Sequence, residues 1–417
     1  MTRYNAFALL SHALTGKKWP LAWRSPEPRK SYDVIIVGGG GHGLATAYYL
    51  AKNHGITNVA VIEKSYIGSG NVGRNTTLVR SNYQMPGNTQ FFEFSLQLWE
   101  GLSHALNYNV MLSQRGQIVL AHGPVQLDVL ARKGNTMRLN GIDAELLDRG
   151  QVQSLLPYVD FSPDSRWPIY GGLLQRRAGT VRHDAVAWGY ARAASDLGVD
   201  ILEHCEVTGF VKDGDAVVGV DTTKGRILAG RTGIAVAGHS SHAAAMAGLR
   251  LPVESPLLPA ARGGPVQPRR GPVISFGAEL FYISQSDKGG LVFGGHIDGF
   301  NTYTQRGQLP KVQTVAEGIV ALIPAASRLR LLRHWGGIMD MTPDGSPFIG
   351  PTPIANLYRN GGWCHQGLKA TPASGWACAP PLATGENHPL NRHFALDRFL
   401  HGDGLDEYGL GNWTWKQ

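Results

Sequence analysis

The feature that most restricts the fold of this chain is Tyr32-Asp33-Val34-Ile35-Ile36-Val37, followed at once by Gly38-Gly39-Gly40-Gly41-His42-Gly43 and then by Leu44-Ala45-Thr46-Ala47-Tyr48-Tyr49-Leu50-Ala51. An apolar run suited to a strand buried on both faces turns through glycines into small and apolar residues suited to a helix. The spacing is G-x-G-x-x-G in its strand-to-helix setting, the fingerprint of a dinucleotide site. Gly38 allows the tight turn, Gly40 lets a pyrophosphate touch the backbone, and Gly43 lets the helix lie close to the strand, with free N–H donors at the helix start. A second apolar run, Val59-Ala60-Val61-Ile62, ends at Glu63, twenty residues past Gly43. A carboxylate there can accept hydrogen bonds from ribose hydroxyls and would repel a phosphorylated ribose. That unit leaves FAD and NAD both open. The loop that follows, Gly68 to Arg80, mixes small, hydroxyl and cationic residues, among them Arg74, Asn75 and Thr76. It suits the extended pyrophosphate and ring system of a flavin better than a regular strand-helix alternation would, and it favours FAD.

Glycine is abundant throughout, 54 of 417 residues, nearly twice the average of about 7%, as expected where backbone must turn tightly or approach a ligand. The length allows two to three domains at about 150 residues each. With 43% hydrophobic and 17% charged residues the chain is neither disordered nor fibrous. The net charge of +8 is scattered rather than concentrated: Arg80, Arg115, Lys133, Arg192 and Arg306 are far apart, and Lys17-Lys18 and Arg269-Arg270 are isolated pairs. This speaks against nucleic-acid binding and suits an acidic protein partner or an anionic ligand. Cys205, Cys364 and Cys378 have neither the number nor the spacing of a disulfide framework or a zinc site, which points to a reducing compartment. No apolar stretch reaches about eighteen residues and no signal-peptide pattern opens the chain, so a soluble, cytoplasmic protein without membrane contact is expected.

Residues 1–30 read as an arm. From Gln114 the pattern changes to short strands and irregular connections, as in an antiparallel domain. Helical periodicity returns over 184–197, strands are expected at 198–202 and 206–211, and a hairpin over 217–229 leads into the buried strand 233–240. The Pro-, Gly- and Arg-rich stretch 255–272 predicts irregular backbone, with antiparallel strands after it at 280–284 and 291–295. The expected division is an FAD-binding domain over 31–112, 183–245 and 334–385, a substrate domain over 113–182 and 246–333, and a tail over 386–417.

The stretches SYDVIIVGGGGHGLATAYYLAKNHGITNVAVIEK, GRNTTLVRSNY, AGTVRHDAVAWGYAR, RHWGGIMDMTPDGSPFIG and FALDRF resemble the beta subunits of the heterotetrameric sarcosine oxidases, within the D-amino-acid-oxidase-like flavoprotein superfamily. The similarity extends over roughly residues 1–400. It implies an α/β fold in which a Rossmann-like FAD-binding domain of the glutathione-reductase type is interwoven with a mixed or antiparallel β-sheet substrate domain. It also implies alpha, gamma and delta partner subunits and oxidation of sarcosine to an imine at non-covalent FAD. Electrons then pass to an FMN attached to a histidine of this subunit, and O2 is reduced to peroxide. The methylene carbon goes to tetrahydrofolate or leaves as formaldehyde. NAD and zinc belong to other subunits, so no metal site is expected here.

On this resemblance His183, in Arg182-His183-Asp184, is the flavin-linking residue. Its neutral imidazole would be the nucleophile toward the flavin 8α-carbon, with Asp184 or the helix start to orient the ring. Lys369 and Arg80 match the cationic pair that holds a substrate carboxylate, and His365 would act on the amine. The expected cofactor contacts are Gly38, Gly40, Gly41, His42, Gly43, Glu63, Lys64, Arg74, Asn75, Thr76, Val207 and Gly367. Val292 occupies the strand on which monomeric relatives place an oxygen-activating lysine, so electrons are expected to leave this FAD by the second flavin. Cys364-His365-Gln366 stands where the family has small residues, which leaves room for another N-alkyl amino acid, such as dimethylglycine, as substrate. A chain that binds FAD but turns over only with its partners is the third expectation. Cys364 itself reads as a packed small residue rather than a redox thiol.

Overall fold

The computed structural model describes residues 6–16, 21–267, 271–276, 281–286 and 288–407. The pairs Lys17-Lys18 and Arg269-Arg270, Leu280 and the end of the 386–417 tail lie outside these residues. The strand Ser31–Val37 is flanked by two parallel neighbours, Val59–Ile62 on one side and Gly225–Ile234 on the other. That position is why its last four residues are all buried and need no alternation. The sheet runs in the order Phe348–Pro351, Leu357–Gly361, Gly225–Ile234, Ser31–Val37, Val59–Ile62, Asp200–Leu202, and the antiparallel strands Ala216–Thr222 and Val207–Asp213 extend from Gly225–Ile234. The expected hairpin is present, with Gly225 at φ +103° in the turn.

Three helices cover this sheet and its core: Gly41–His54, Asn88–Ala105 and Gly367–Thr384. The first starts directly from the glycine turn, and a β-carbon on Gly43 would stand 2.0 Å from the carbonyl oxygen of Gly38. Only glycine permits that contact. The Gly367–Thr384 helix lies across the first helix so closely that a β-carbon on Gly375 would be 2.5 Å from that of Ala45. The fourth helix of this layer, His183–Asp196, begins at the residue singled out in the sequence and buries Tyr190 against Tyr48 and Tyr49.

A second sheet, in the order Leu331–Ile338, Leu257–Pro265, Gly290–Gly295, Phe281–Gln285, Val273–Phe276, Gln117–Ala121, Gly171–Gln175, Glu145–Asp148, is antiparallel apart from one parallel pair. The stretch expected to be irregular contains its strand Leu257–Pro265, paired over most of its length to Leu331–Ile338. Pro and Gly codes for turns failed there because both neighbours supply ladder partners that outweigh local preference. The boundary expected at residue 334 falls inside Leu331–Ile338, all of which belongs to this sheet. Helices Pro124–Leu139, Arg149–Leu155 and Leu309–Leu322, which the reading as short strands did not include, lie within this part of the chain. Among the described residues no helix is long and apolar enough to cross a membrane, and no cluster of three or more His, Cys, Asp or Glu side chains could hold a metal.

Candidate active site

A cavity of about 1030 Å³ opens between the two sheets. Its wall includes Gly38, Gly40, Gly41, His42, Glu63, Lys64, Arg74, Asn75, Thr76 and Val207, together with Arg80, His365, Gly367 and Lys369. Of the expected residues, Gly43 lies behind the turn, against Gly38, and His183 is elsewhere; neither lines the cavity.

The glycine turn is shaped for phosphate. A β-carbon on Gly40, the residue capping the Gly41–His54 helix, would meet nothing within 4 Å, and no side chain caps the helix start. The amides there face open space at the positive end of the helix dipole. Glu63 holds the turn in shape: its carboxylate accepts the Gly39 N–H at 3.0 Å and the Ser65 N–H at 2.9 Å. His42 stacks flat on Trp363, with ring centroids 4.6 Å apart, and shares a 2.5 Å hydrogen bond with the Ser374 hydroxyl. Burial pushes its pKa down to about 3, so the ring is neutral. These features fit the pyrophosphate of a dinucleotide.

The loop 71–77 is stitched to the second sheet. Asn71 exchanges hydrogen bonds with the backbone of Ile338, Arg74 donates to Ser69, to Gly70 and, at 2.5 Å, to Gln305, and the Trp335 indole donates to the Arg74 carbonyl at 2.8 Å. Asn75 accepts the Thr77 N–H at 2.7 Å.

Away from the glycines the wall becomes cationic. Lys369 sits in the first turn of Gly367–Thr384, 6% exposed, and its ammonium donates to the His365 carbonyl at 2.6 Å. Arg80 follows the short strand Leu78–Val79, lies 4.7 Å from the Tyr83 ring centroid and bonds Asn82. Burial, then the charge of Arg80, drives the Lys369 ammonium well below its ordinary pKa. Burial, then Lys369 and Arg80, lowers His365 to about 3. His365 is therefore neutral beside Arg80 and a Lys369 whose charge burial disfavours, and an arriving carboxylate would favour the charged form of Lys369.

Three wall residues escaped the sequence reading. Tyr282 is raised to about 12 by burial, Asp340 to about 6 by burial, and Lys133 is lowered to about 8 by burial and the nearby Arg80. Lys133 was visible only as one scattered charge, since nothing local marks the fold-back of its helix onto the cavity. Val292 pairs with Arg262 in the strand and does not line the cavity, whose wall on this strand begins at Gly295.

His183 packs by the one-turn helix Asn71–Arg74. Its ring is held by the backbone of Gly73, and Nδ1 is buried with no hydrogen-bond partner. Asp184 does not orient the ring; its carboxylate takes Arg182 at 2.7 and 2.9 Å and the Ala185 N–H. Burial lowers the pKa of His183, leaving a neutral imidazole.

Cys364 has φ +50°, a conformation glycine prefers. Its buried thiol contacts Thr342 and Asp340, and burial pushes its pKa up to about 12, which makes it a packed residue and not a thiolate.

Residues 33–379 match the DAO family model, described as FAD dependent oxidoreductase, and the chain belongs to that family. The particular branch is that of the sarcosine oxidase beta subunits. The chain is 58% identical to sarcosine oxidase subunit beta of Rhizobium meliloti over 98% of both chains, and 48% identical to that of Rhodobacter capsulatus, again over 98% of both. Among solved structures, L-proline dehydrogenase from P.horikoshii is similar at 27% identity and a TM-score of 0.83, covering 90% of this chain and 99% of that one.

Proposed function

We propose that this chain oxidises the secondary amine of sarcosine at an FAD bound in the cavity, as the beta subunit of an assembly with alpha, gamma and delta subunits. The observation that carries the reading is the pairing of Arg80 and Lys369 on the same cavity as the open glycine turn. Bound there, FAD would supply the two-electron acceptor. Gly38, Gly40, Gly41 and the helix start would take its pyrophosphate, Glu63 and Val207 its adenosine, and Arg74, Asn75, Thr76 and Gly367 its remaining length. In this reading the first sheet's segments form the FAD-binding domain and the second sheet's the substrate domain.

Arg80 and Lys369 fix the substrate carboxylate, which restores the Lys369 charge that burial disfavours and orients the amine. His365, neutral, accepts a hydrogen bond from the substrate N–H. Water then hydrolyses the imine to glycine and formaldehyde, or the imine carbon passes to tetrahydrofolate. An FMN joined to His183 would take the electrons on to O2, giving H2O2. The unpartnered, neutral Nδ1 of His183 supports its role as nucleophile, as does its place outside the FAD cavity. The compartment we propose is the cytoplasm. Cys364 and His365 in the wall favour a second reading, a different N-alkyl amino acid such as dimethylglycine.

Anaerobic addition of sarcosine to the purified assembly should bleach the FAD, and sarcosine ranking well below dimethylglycine in such a panel would reject the first reading. The intact mass of the chain should carry one FMN increment; a mass equal to the bare polypeptide would reject the covalent link.

A further inference from the structure

Asp340 is 3% exposed and stands in the cavity wall just past the strand Leu331–Ile338. It grips the turn before the Gly367–Thr384 helix with both side chain and backbone. Its carboxylate Oδ2 accepts the Gly362 N–H at 2.5 Å, and its carbonyl accepts the Cys364 N–H at 3.3 Å. Thr342 adds a third tie, its N–H reaching Cys364 Sγ at 3.3 Å. The packing there is tight: a β-carbon on Gly362 would stand 2.7 Å from the Thr342 methyl. The turn needs such support, because Gly362 and Cys364 both have positive φ, +75° and +50°. Directly after it come His365, whose carbonyl takes the Lys369 ammonium at 2.6 Å, and the first turn of the helix that carries Lys369.

We propose that Asp340 is a positioning residue for the substrate site: its charged hydrogen bond to Gly362 holds the turn so that His365 and Lys369 meet the amine and carboxylate. The proposal rests on the reading that those two residues serve the substrate. Charge is what makes the tie effective, since an N–H donated to a carboxylate is roughly twice as strong as one donated to a neutral acceptor. Burial raises the Asp340 carboxyl to about 6, while the Trp363 and Gly362 amides and the charge of Arg359 act to lower it. Arg359, on the strand Leu357–Gly361, is itself 3% exposed, and none of its three nitrogens has a hydrogen-bond partner among the described residues. The other titratable groups about this turn are the Cys364 thiol and His365, both neutral, and Asp344, which is paired to Arg398. The tie is therefore charged above about pH 6 and loses its charge as pH falls through that value.

The test uses the flavin-loaded assembly, native and Asp340→Asn, at equal FAD content. The ligand is (methylthio)acetate, which cannot be oxidised at nitrogen, and its dissociation constant is read from the change in flavin absorbance. Asparagine keeps an acceptor for the Gly362 N–H and removes only the charge. The ratio of the variant's dissociation constant to the native one cancels every titration the two share, that of Lys369 included. It should be about tenfold at about pH 8 and fall to one at about pH 5, with a midpoint near 6. A ratio flat across pH would overturn the proposal, whether it stays at one or at the constant penalty that a merely structural role gives. Arg359→Met, which takes away the cation acting on Asp340, should weaken binding near pH 7 and leave it native at about pH 5. Native binding by that variant near pH 7 would also overturn the proposal. A native assembly that shows no absorbance change with the ligand would overturn the amine-oxidation reading, and the proposal with it.

Discussion

Asp344 and Arg398 form a buried, two-pronged ion pair, with Arg398 Nη2 2.7 Å from Asp344 Oδ1 and Nε 2.8 Å from Oδ2, and side chains 6% and 2% exposed. Arg398 also donates to the carbonyls of Ser346 and Pro347, and Leu405 N–H reaches Asp344. The segment after residue 386 is thereby fastened to the strand Phe348–Pro351 and its approach. Arg398→Met should leave the carboxylate buried alone and cost about 3–5 kcal/mol, read by chemical denaturation. Burial alone would raise the Asp344 pKa, but the hydrogen bonds and charge of Arg398 hold it below 3.8. With the folded-state value depressed, the pair's stabilisation is fully present above the unfolded carboxylate pKa and fades as pH falls from there through the folded pKa. Native unfolding curves should therefore weaken below about pH 4, and those of the variant should lack that component.

Gly40 and Gly43 separate cofactor binding from folding. An alanine at 40 meets no protein atom, so Gly40→Ala should fold with near-native thermal stability yet lose FAD affinity by tenfold or more. Gly43→Ala puts a methyl 2.0 Å from a backbone oxygen and should lower the melting temperature of the FAD-free protein. Equal melting losses in the two would contradict this division.

Lys369→Met and Arg80→Met each remove a charged contact worth about 1.5–3 kcal/mol. Stopped-flow reduction by sarcosine should fall in kred/Kd by about ten- to a hundredfold for either. FAD content should be retained, since neither side chain belongs to the glycine turn.

His183→Ala should remove every trace of protein-bound flavin after acid precipitation while leaving acid-released FAD at native levels. Retention of bound flavin in that variant would place the link on another residue.

Cys205, Cys364 and Cys378 are all buried and unbridged, and burial raises the thiols of Cys364 and Cys378 to about 12. A thiol reagent at neutral pH should label none of them in the folded chain and all three after denaturation. Fast labelling of Cys364 in the native state would mean that the loop before Lys369 opens.

The glycine turn, the strand ending at Glu63, the helix beginning at His183 and the 217–229 hairpin were legible because each is coded by neighbours in the chain: an apolar run, a period, a turn residue at a set offset. Strand Leu257–Pro265 was not, because its ladder partners lie about thirty positions later in one neighbour and some seventy to eighty in the other and override its prolines. The same holds for the site. Gly38 to Gly43 and Glu63 announce a dinucleotide by spacing alone. That Lys133, Tyr282 and Asp340 share one cavity with Arg80 and Lys369, that Val292 does not, and that His183 stands apart from it, depended on how two sheets and their helices close over each other. Short-range backbone preferences carry no information about such long-range packing, and the burial it creates is what sets the charges of the site.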